Sequence, residues 1–282
     1  AIALQGRATQ RKAGSVQRYW LFWNRGEYLH RAVFMENNMA IIINQIKTPL
    51  GTDRDIIISK ALKQAHIRQS DVESSDIYKT SIDARDNENI KLVHSVFLEL
   101  KSKELEKKLL AKNTGISSAA EGRIEPEFGK VHKNGRVTVV GFGPAGMFCA
   151  LILARYGYKP LVLERGGQID ERVKKVERYL CGGALDTGSN IQFGEGGAGT
   201  FSDGKLTTGI RDRRIRHIFE EFVRFGAPED ILYLAKPHIG TDILRNVVKN
   251  IRTEIISLGG EVNFDAEMTE LVSKNGSVTG II

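Results

Sequence analysis

Residues 137–166 read VTVVGFGPAGMFCALILARYGYKPLVLERG, and this stretch decides the fold. Val137 to Val140 have the pattern of a short buried strand. The turn Gly141-Phe142-Gly143-Pro144-Ala145-Gly146 follows and fits G-x-G-x-x-G. A helical run then sets Met147, Ala150, Leu151 and Ala154 on one face and stops at Gly157. Residues 160–164, PLVLE, are the next strand. Strand, glycine-rich turn, helix and strand within about 30 residues form the βαβ unit that holds a dinucleotide.

Each residue of the turn suits that task. Gly141 permits the tight turn, and Gly143 lets backbone approach a pyrophosphate where a side chain would collide. Gly146 and the small Ala150 bring the helix close to the sheet. Pro144 fits the first helical turn, where its missing N–H costs nothing. The free amides at the helix start, Ala145 among them, attract phosphate together with the helix dipole. Glu164 ends the second strand and can accept hydrogen bonds from ribose hydroxyls. It would repel a 2′-phosphate, which argues against NADP there.

A second glycine-rich stretch, QFGEGGAGTFSDGKLTT, occupies residues 192–208. It has no period, and Gly194, Gly196, Gly197, Gly199 and Gly204 are interleaved with Ser and Thr. It reads as a loop packed against a flat or phosphorylated ligand, because Phe193 and Phe201 would be odd on a free loop. Of the 29 glycines, 7 lie in residues 1–134 and 22 in residues 135–282, so the chemistry is expected in the second half.

Outward from there, helical faces run through Ile215, Ile218, Phe219, Phe222 and Val223, and through Leu244, Val247, Val248, Ile251 and Ile255. Thr241 is the expected cap of the second of these helices. Residues 261–264 form a strand, and Asn275-Gly276 signals a hairpin turn.

The first half reads as a small α+β domain over residues 39–112. It has a strand at 41–46 and a helix capped by Thr52 with Ile58, Ala61, Leu62 and Ala65 inward. Two alternating strands then form a hairpin around residues 85–89, and a charged helix covers 103–112. His94 on a hairpin strand reads as structural. Residues 113–134 read as a linker and 135–282 as the dinucleotide domain. Residues 1–38 are Arg-rich and nearly free of acid, and are set apart as a leader: upstream sequence ahead of Met39, or a transit peptide.

The 282 residues are 41% hydrophobic and 27% charged, a globular balance. No apolar run is long enough for a membrane helix. The net charge is +7, of which residues 1–38 supply +4 (six Arg/Lys, two Glu), leaving +3 for the rest. That is weak evidence for a polyanionic partner. Cys149 and Cys181 form no disulfide framework or CxxC, so a cytoplasmic location is expected, or an organelle if residues 1–38 are a transit peptide. The motifs of zinc proteases, nucleophile elbows and phosphate loops of nucleotide hydrolases are absent. No metal is expected.

The stretch at 137–166 resembles the FAD-binding start of the glutathione-reductase-like flavoproteins. More narrowly, NIQFGEGGAGTFSDGKLTT at 190–208 and LYLAKPHIGTDILRNVVKNIRTEIISLGGEV at 232–262 resemble a bacterial family of FAD-dependent dehydrogenases. The resemblance covers residues 39–282. It implies an α/β fold, a Rossmann-like ββα three-layer FAD/NAD(P)-binding domain preceded by the small α+β domain. It implies that Gly141, Gly143 and Gly146 hold the FAD pyrophosphate, and that Glu164 binds the adenosine ribose with Arg165 beside it. The loop Gly196, Gly197, Ala198, Gly199, Thr200, Ser202, Asp203 and Lys205 would lie near the flavin end. The strand around Met268 would offer backbone to the adenine.

Such proteins complete the site with a late strand ending in Gly-Asp. No Gly-Asp pair occurs here, so the domain is expected to be incomplete and the chain an amino-terminal fragment. The implied activity is hydride or electron transfer between an unknown small molecule and FAD, with NAD(P)H as a possible donor. Lys205 would set positive charge near the reduced ring, or be a solvated loop lysine. His238 would be an acid/base group, or a packed loop residue. Catalytic residues are not assigned. The alternatives are an NAD enzyme at the same site, and a non-catalytic nucleotide- or RNA-binding protein whose support is the run at 101–112.

Overall fold

The structure is a computed structural model that describes residues 39–112, 115–119, 135–206, 212 and 214–282. The leader expected over 1–38 and most of the expected linker lie outside the described residues. Among the described residues, no helix is long and apolar enough to cross a membrane.

The first unit runs β1 (Ala40–Pro49), α1 (Arg54–Ala65), β2 (Val72–Asp83), β3 (Lys91–Leu100), α2 (Lys103–Lys112) and β4 (Ile116–Ser118). The sheet order is β2-β3-β1-β4 with every pair antiparallel. This is the split βαβ arrangement. Alternation along β1 and β3 turns Ile41, Ile43, Val96, Leu98 and Leu100 to one face. There they pack with Ile57, Ile58, Ala61 and Leu62 of α1. β4 lies within the stretch expected as linker: Ile41 to Ile43 of β1 pair with Ser118 to Ile116, so the first sheet extends past Lys112.

Thr52 does not cap α1. The N-cap is Asp53 with no side-chain cap, and the Thr52 hydroxyl donates to Pro49 O at 2.9 Å, closing the preceding turn. His94 is structural, as its strand position suggested. It is buried between two hydroxyls, Thr48 Oγ1 at 2.9 Å from Nε2 and Thr80 Oγ1 at 2.9 Å from Nδ1.

The second unit contains β5 (Thr138–Val140), α3 (Pro144–Arg155), β6 (Leu161–Leu163), α4 (Ile169–Leu180), α5 (Arg214–Arg224), α6 (Thr241–Ser257), β7 (Glu261–Asn263), β8 (Leu271–Lys274) and β9 (Ser277–Ile281). Strands β5, β6 and β7 form a parallel sheet in that order. The chain is thus a mixed α/β protein with a parallel sheet and packed helices. Val139 and Val162 of the sheet, Met147, Ala150, Leu151 and Ala154 of α3, and Leu244, Val247, Val248, Ile251 and Ile255 of α6 share one core.

Arg155 ties three helices together. Its Nη1 lies 2.8 Å from Glu221 Oε1 on α5 and its Nε donates to Glu254 Oε1 on α6 at 2.6 Å. Thr241 begins α6 rather than capping it; the N-cap is Gly240. Asn275 and Gly276 both have positive φ, 51° and 76°, as the two-residue hairpin turn between β8 and β9 requires.

The two units meet at the edge of β2. Thr80 N–H donates to Tyr233 O at 2.6 Å, and Ala235 N–H donates to Thr80 O at 2.9 Å. The Arg216 guanidinium of α5 stands 5.3 Å from the Tyr78 ring centre.

Candidate functional site

Glycine builds the turn after β5. Gly141 has φ +92°, a conformation side chains disfavour, and its N–H donates to Leu163 O at 2.7 Å. One turn further on, a methyl at Gly146 would collide with Gly141 O and stand 3.4 Å from Val139 Cγ1. Strand, turn and helix are therefore in backbone contact. Gly143 differs: nothing lies within 4 Å of where its Cβ would be, so the turn opens on that side. Gly143 is the N-cap of α3, Pro144 sits in the first turn, and no side chain caps the helix. The first-turn amides thus have no intrahelical acceptor and attract an anion.

Glu164 is buried at the end of β6, 4% exposed. Its Oε2 accepts the Phe142 N–H at 2.6 Å and its Oε1 accepts the Gly166 N–H at 2.9 Å. The carboxylate fastens β6 to the glycine turn. A carboxylate has about four acceptor positions, so two remain for hydroxyl donors. Arg165 stacks its guanidinium 4.0 Å from the Phe193 ring centre and donates from Nη2 to Thr187 O at 3.0 Å.

The second glycine-rich stretch packs onto the first. Gly196 N–H donates to Phe142 O at 2.8 Å. A Cβ at Gly197 would lie 3.1 Å from Pro144 Cδ and 3.5 Å from Gly143 Cα. Between them an open cleft of about 330 Å³ is bounded by Gly141, Gly143, Glu164, Arg165, Gly197 and Met268. That is at the low end of small-molecule sites, roughly 300–1,000 Å³. Six of the site residues expected from sequence therefore converge. Gln192, Phe193, Gly194, Ala266 and Glu267 also line the cleft and were not on that list.

The other expected residues stand behind or beside it. Pro144, Ala145 and Gly146 form the helix start. Gly196, Ala198, Gly199, Thr200 and Ser202 shape the loop. The Thr200 hydroxyl donates to Gly197 O at 2.9 Å and that of Ser202 to Gly199 O at 2.9 Å. Asp203 and Lys205 pair with each other at 2.8 Å in solvent, and the backbone around Lys205 runs antiparallel to that around exposed His238 through Leu206 N–H to Pro237 O and Ile239 N–H to Gly204 O, all outside the cleft.

Sequence reasoning missed α4 and its central residue. Arg172 is fully buried. Its Nε donates to Asn190 O at 2.8 Å and Nη2 to Ile191 O at 2.8 Å. Nη1 donates to Glu195 O at 2.6 Å and to Thr200 Oγ1 at 3.0 Å. One guanidinium thus folds the second loop around itself. Burial pulls its pKa down to about 10, so it stays charged at neutral pH. The signal was present: Arg172 lies on the face of Ile169 and Val176, an apolar stripe interrupted by a cation.

Glu195 is also fully buried. Its Oε2 accepts the Ile169 N–H at 2.8 Å and pairs with Arg252 Nη1 at 2.9 Å, and burial pushes its pKa up.

A family model described as a domain of unknown function, DUF8436, matches residues 40–99, which span β1 to β3. A curated protein of Clostridium beijerinckii, described as uncharacterized, is 46% identical over 247 residues. The match covers 86% of this chain and 46% of that protein, so the chain spans about half the length of the curated relative it matches. Among solved structures, Thermovibrio ammonificans THI4 is similar at 20% identity, over 52% of this chain and 46% of that one, with a TM-score of 0.31.

Proposed function

We propose that the cleft binds the adenosine diphosphate part of FAD and that the chain is the nucleotide-binding portion of an FAD-dependent oxidoreductase. One observation carries this reading. Residues far apart in sequence, Gly141 and Gly143, Glu164 and Arg165, Gly197, and Met268, border a single cleft at an uncapped helix start.

The open space in front of Gly143 fits a pyrophosphate on the first-turn amides of α3. Glu164 keeps two acceptor positions for ribose hydroxyls, and its charge excludes a 2′-phosphate. Backbone at Met268 faces the adenine end. FAD supplies the hydride and electron chemistry; the chain binds and orients it. The cleft residues address only the adenosine diphosphate part, which NAD shares, so a second reading has the same residues hold NAD.

Titration of the full chain with ADP, FAD and NAD, with Gly143→Asp in parallel, tests the reading. A side chain at Gly143 meets no neighbour, and Asp is a favoured N-cap, so the variant should fold at least as stably. It should bind ADP and FAD at least tenfold more weakly, because its carboxylate occupies the phosphate position. Failure of all three nucleotides to bind, or equal binding by the variant, refutes the site. Binding of NAD with exclusion of FAD replaces the flavin reading by the second one.

A further inference from the structure

We propose that the open face of the N-terminal sheet carries a separate small-molecule site, built for a small organic carboxylate. The face of this sheet turned away from its helix-covered core contains two bulges side by side. In β1, Ile43 pairs with Val96 and Ile46 with His94, so Asn44 and Gln45 together oppose Ser95. In β2, Ile77 pairs with Val96 and Lys79 with Ser95, so Tyr78 is the inserted residue. Both strands that flank β3 are thus bulged at the level of Ser95. Bulges re-aim side chains and gather next to functional sites. Gln45 is held at φ 64°, which non-glycine residues seldom adopt.

The re-aimed side chains help to line an open cavity of about 360 Å³ on this face. Its polar wall is Asn44, Gln45, Tyr78, Lys79, Ser81, Ser95 and Ser117, and its apolar wall is Ile42 and Val93. The polar wall is wired in one direction. The Ser95 hydroxyl donates to Asn44 Oδ1 at 2.8 Å, and Asn44 Nδ2 donates to Ser117 Oγ at 3.3 Å. The Asn44 carboxamide oxygen thus accepts one of its two bonds from Ser95, while its second N–H and the Ser117 O–H remain as donors. Among the described residues, Lys79 forms no ion pair and the Tyr78 hydroxyl no hydrogen bond. No carboxylate lines the cavity.

Several donors, one ammonium and no acid complement an oxyanion, and charge-assisted hydrogen bonds are the strong ones. The Ile42 and Val93 surface calls for a carbon skeleton behind the anion rather than a bare inorganic ion. The site shares no residue with the nucleotide cleft. It does share β2 with the junction between the units, since Thr80 lies between Lys79 and Ser81 and bonds Tyr233 and Ala235.

The test is an amide NMR titration of the full chain with butyrate, inorganic phosphate and chloride at matched ionic strength. Butyrate should give saturating shifts centred on Asn44, Gln45, Lys79 and Ser95. Lys79→Met and Ser95→Ala should weaken it at least tenfold while leaving ADP binding at the other cleft unchanged. Lys79 is exposed, so its replacement does not threaten the fold. Absence of a saturating shift with butyrate overturns the proposal. So does a Lys79→Met variant that titrates like the parent, or a response to phosphate and chloride equal to that of butyrate. The parallel ADP titration keeps this outcome separate from the nucleotide reading.

Discussion

Replacing Arg172 with methionine tests the view that one buried cation organises the loop lining the cleft. The side chain is 0% exposed and donates to four acceptors. The bonds to Glu195 O and Thr200 Oγ1 are buried, and those to Asn190 O and Ile191 O are partly buried. A buried acceptor left without a partner costs about 1–3 kcal/mol. Methionine is long and flexible enough to fill most of the space, so the cavity contribution is small. Removing the guanidinium also removes its desolvation penalty, several kcal/mol, which offsets part of the loss.

The expected net loss is about 2–4 kcal/mol, a large share of a typical total of about 5–15 kcal/mol. Urea unfolding should show a lower midpoint with an unchanged slope. Amide exchange should accelerate at Glu195 and Gly196, whose N–H groups donate to Gly167 O and Phe142 O. Arg172→Lys should rescue little, because a single ammonium has three donors and cannot reach acceptors arranged around a planar fork. A loss below about 1 kcal/mol with normal exchange at Glu195 and Gly196 would refute the reasoning.

Three further outcomes are expected. Gly146→Ala drives a methyl into the Gly141 carbonyl, a backbone atom that cannot step aside. It should cost about 1–3 kcal/mol and weaken ADP binding, as thermal unfolding and calorimetry will read. Glu221→Gln removes the buried negative charge facing Arg155, leaving a neutral acceptor, while Glu254 still holds its other edge. A loss of about 2–3 kcal/mol in urea unfolding is expected, below that of an entirely unpaired buried charge. Burial lowers the pKa of His94 below its ordinary value of about 6.5. The folded state therefore resists protonation, so this stabilisation is present above that value and is lost as pH falls through the lowered one. The unfolding midpoint of the parent should drop more steeply on acidification than that of His94→Gln, and parallel curves would exclude His94 as the cause.

Some of this was legible because local physics wrote it. Gly141, Gly143 and Gly146 at fixed spacing between a strand and an apolar helix face can hardly do anything else than make a tight βαβ turn. Asn275-Gly276 announced its hairpin because those two residues tolerate the positive φ that the turn demands. The caps were misread at Thr52 and Thr241, where a hydroxyl near a helix start does not itself say which backbone group it will meet. Helix α4 went unseen because Arg172 breaks its apolar stripe, and only a loop 18 to 28 residues later, at Asn190 to Thr200, makes a buried arginine affordable.

The sequence by itself thus determined most of the element types, the βαβ unit and the glycine turn, since these depend on periodicity and backbone freedom over a few residues, but not α4 or β4. Tertiary structure alone decided the rest. It turned Glu164 inward to two backbone amides and brought Met268 to the same cleft as Gly143. It left Asp203 and Lys205 in solvent and aligned two bulges across β3. Each of these rests on contacts between segments far apart in the chain, and no local pattern of residues encodes such a distance.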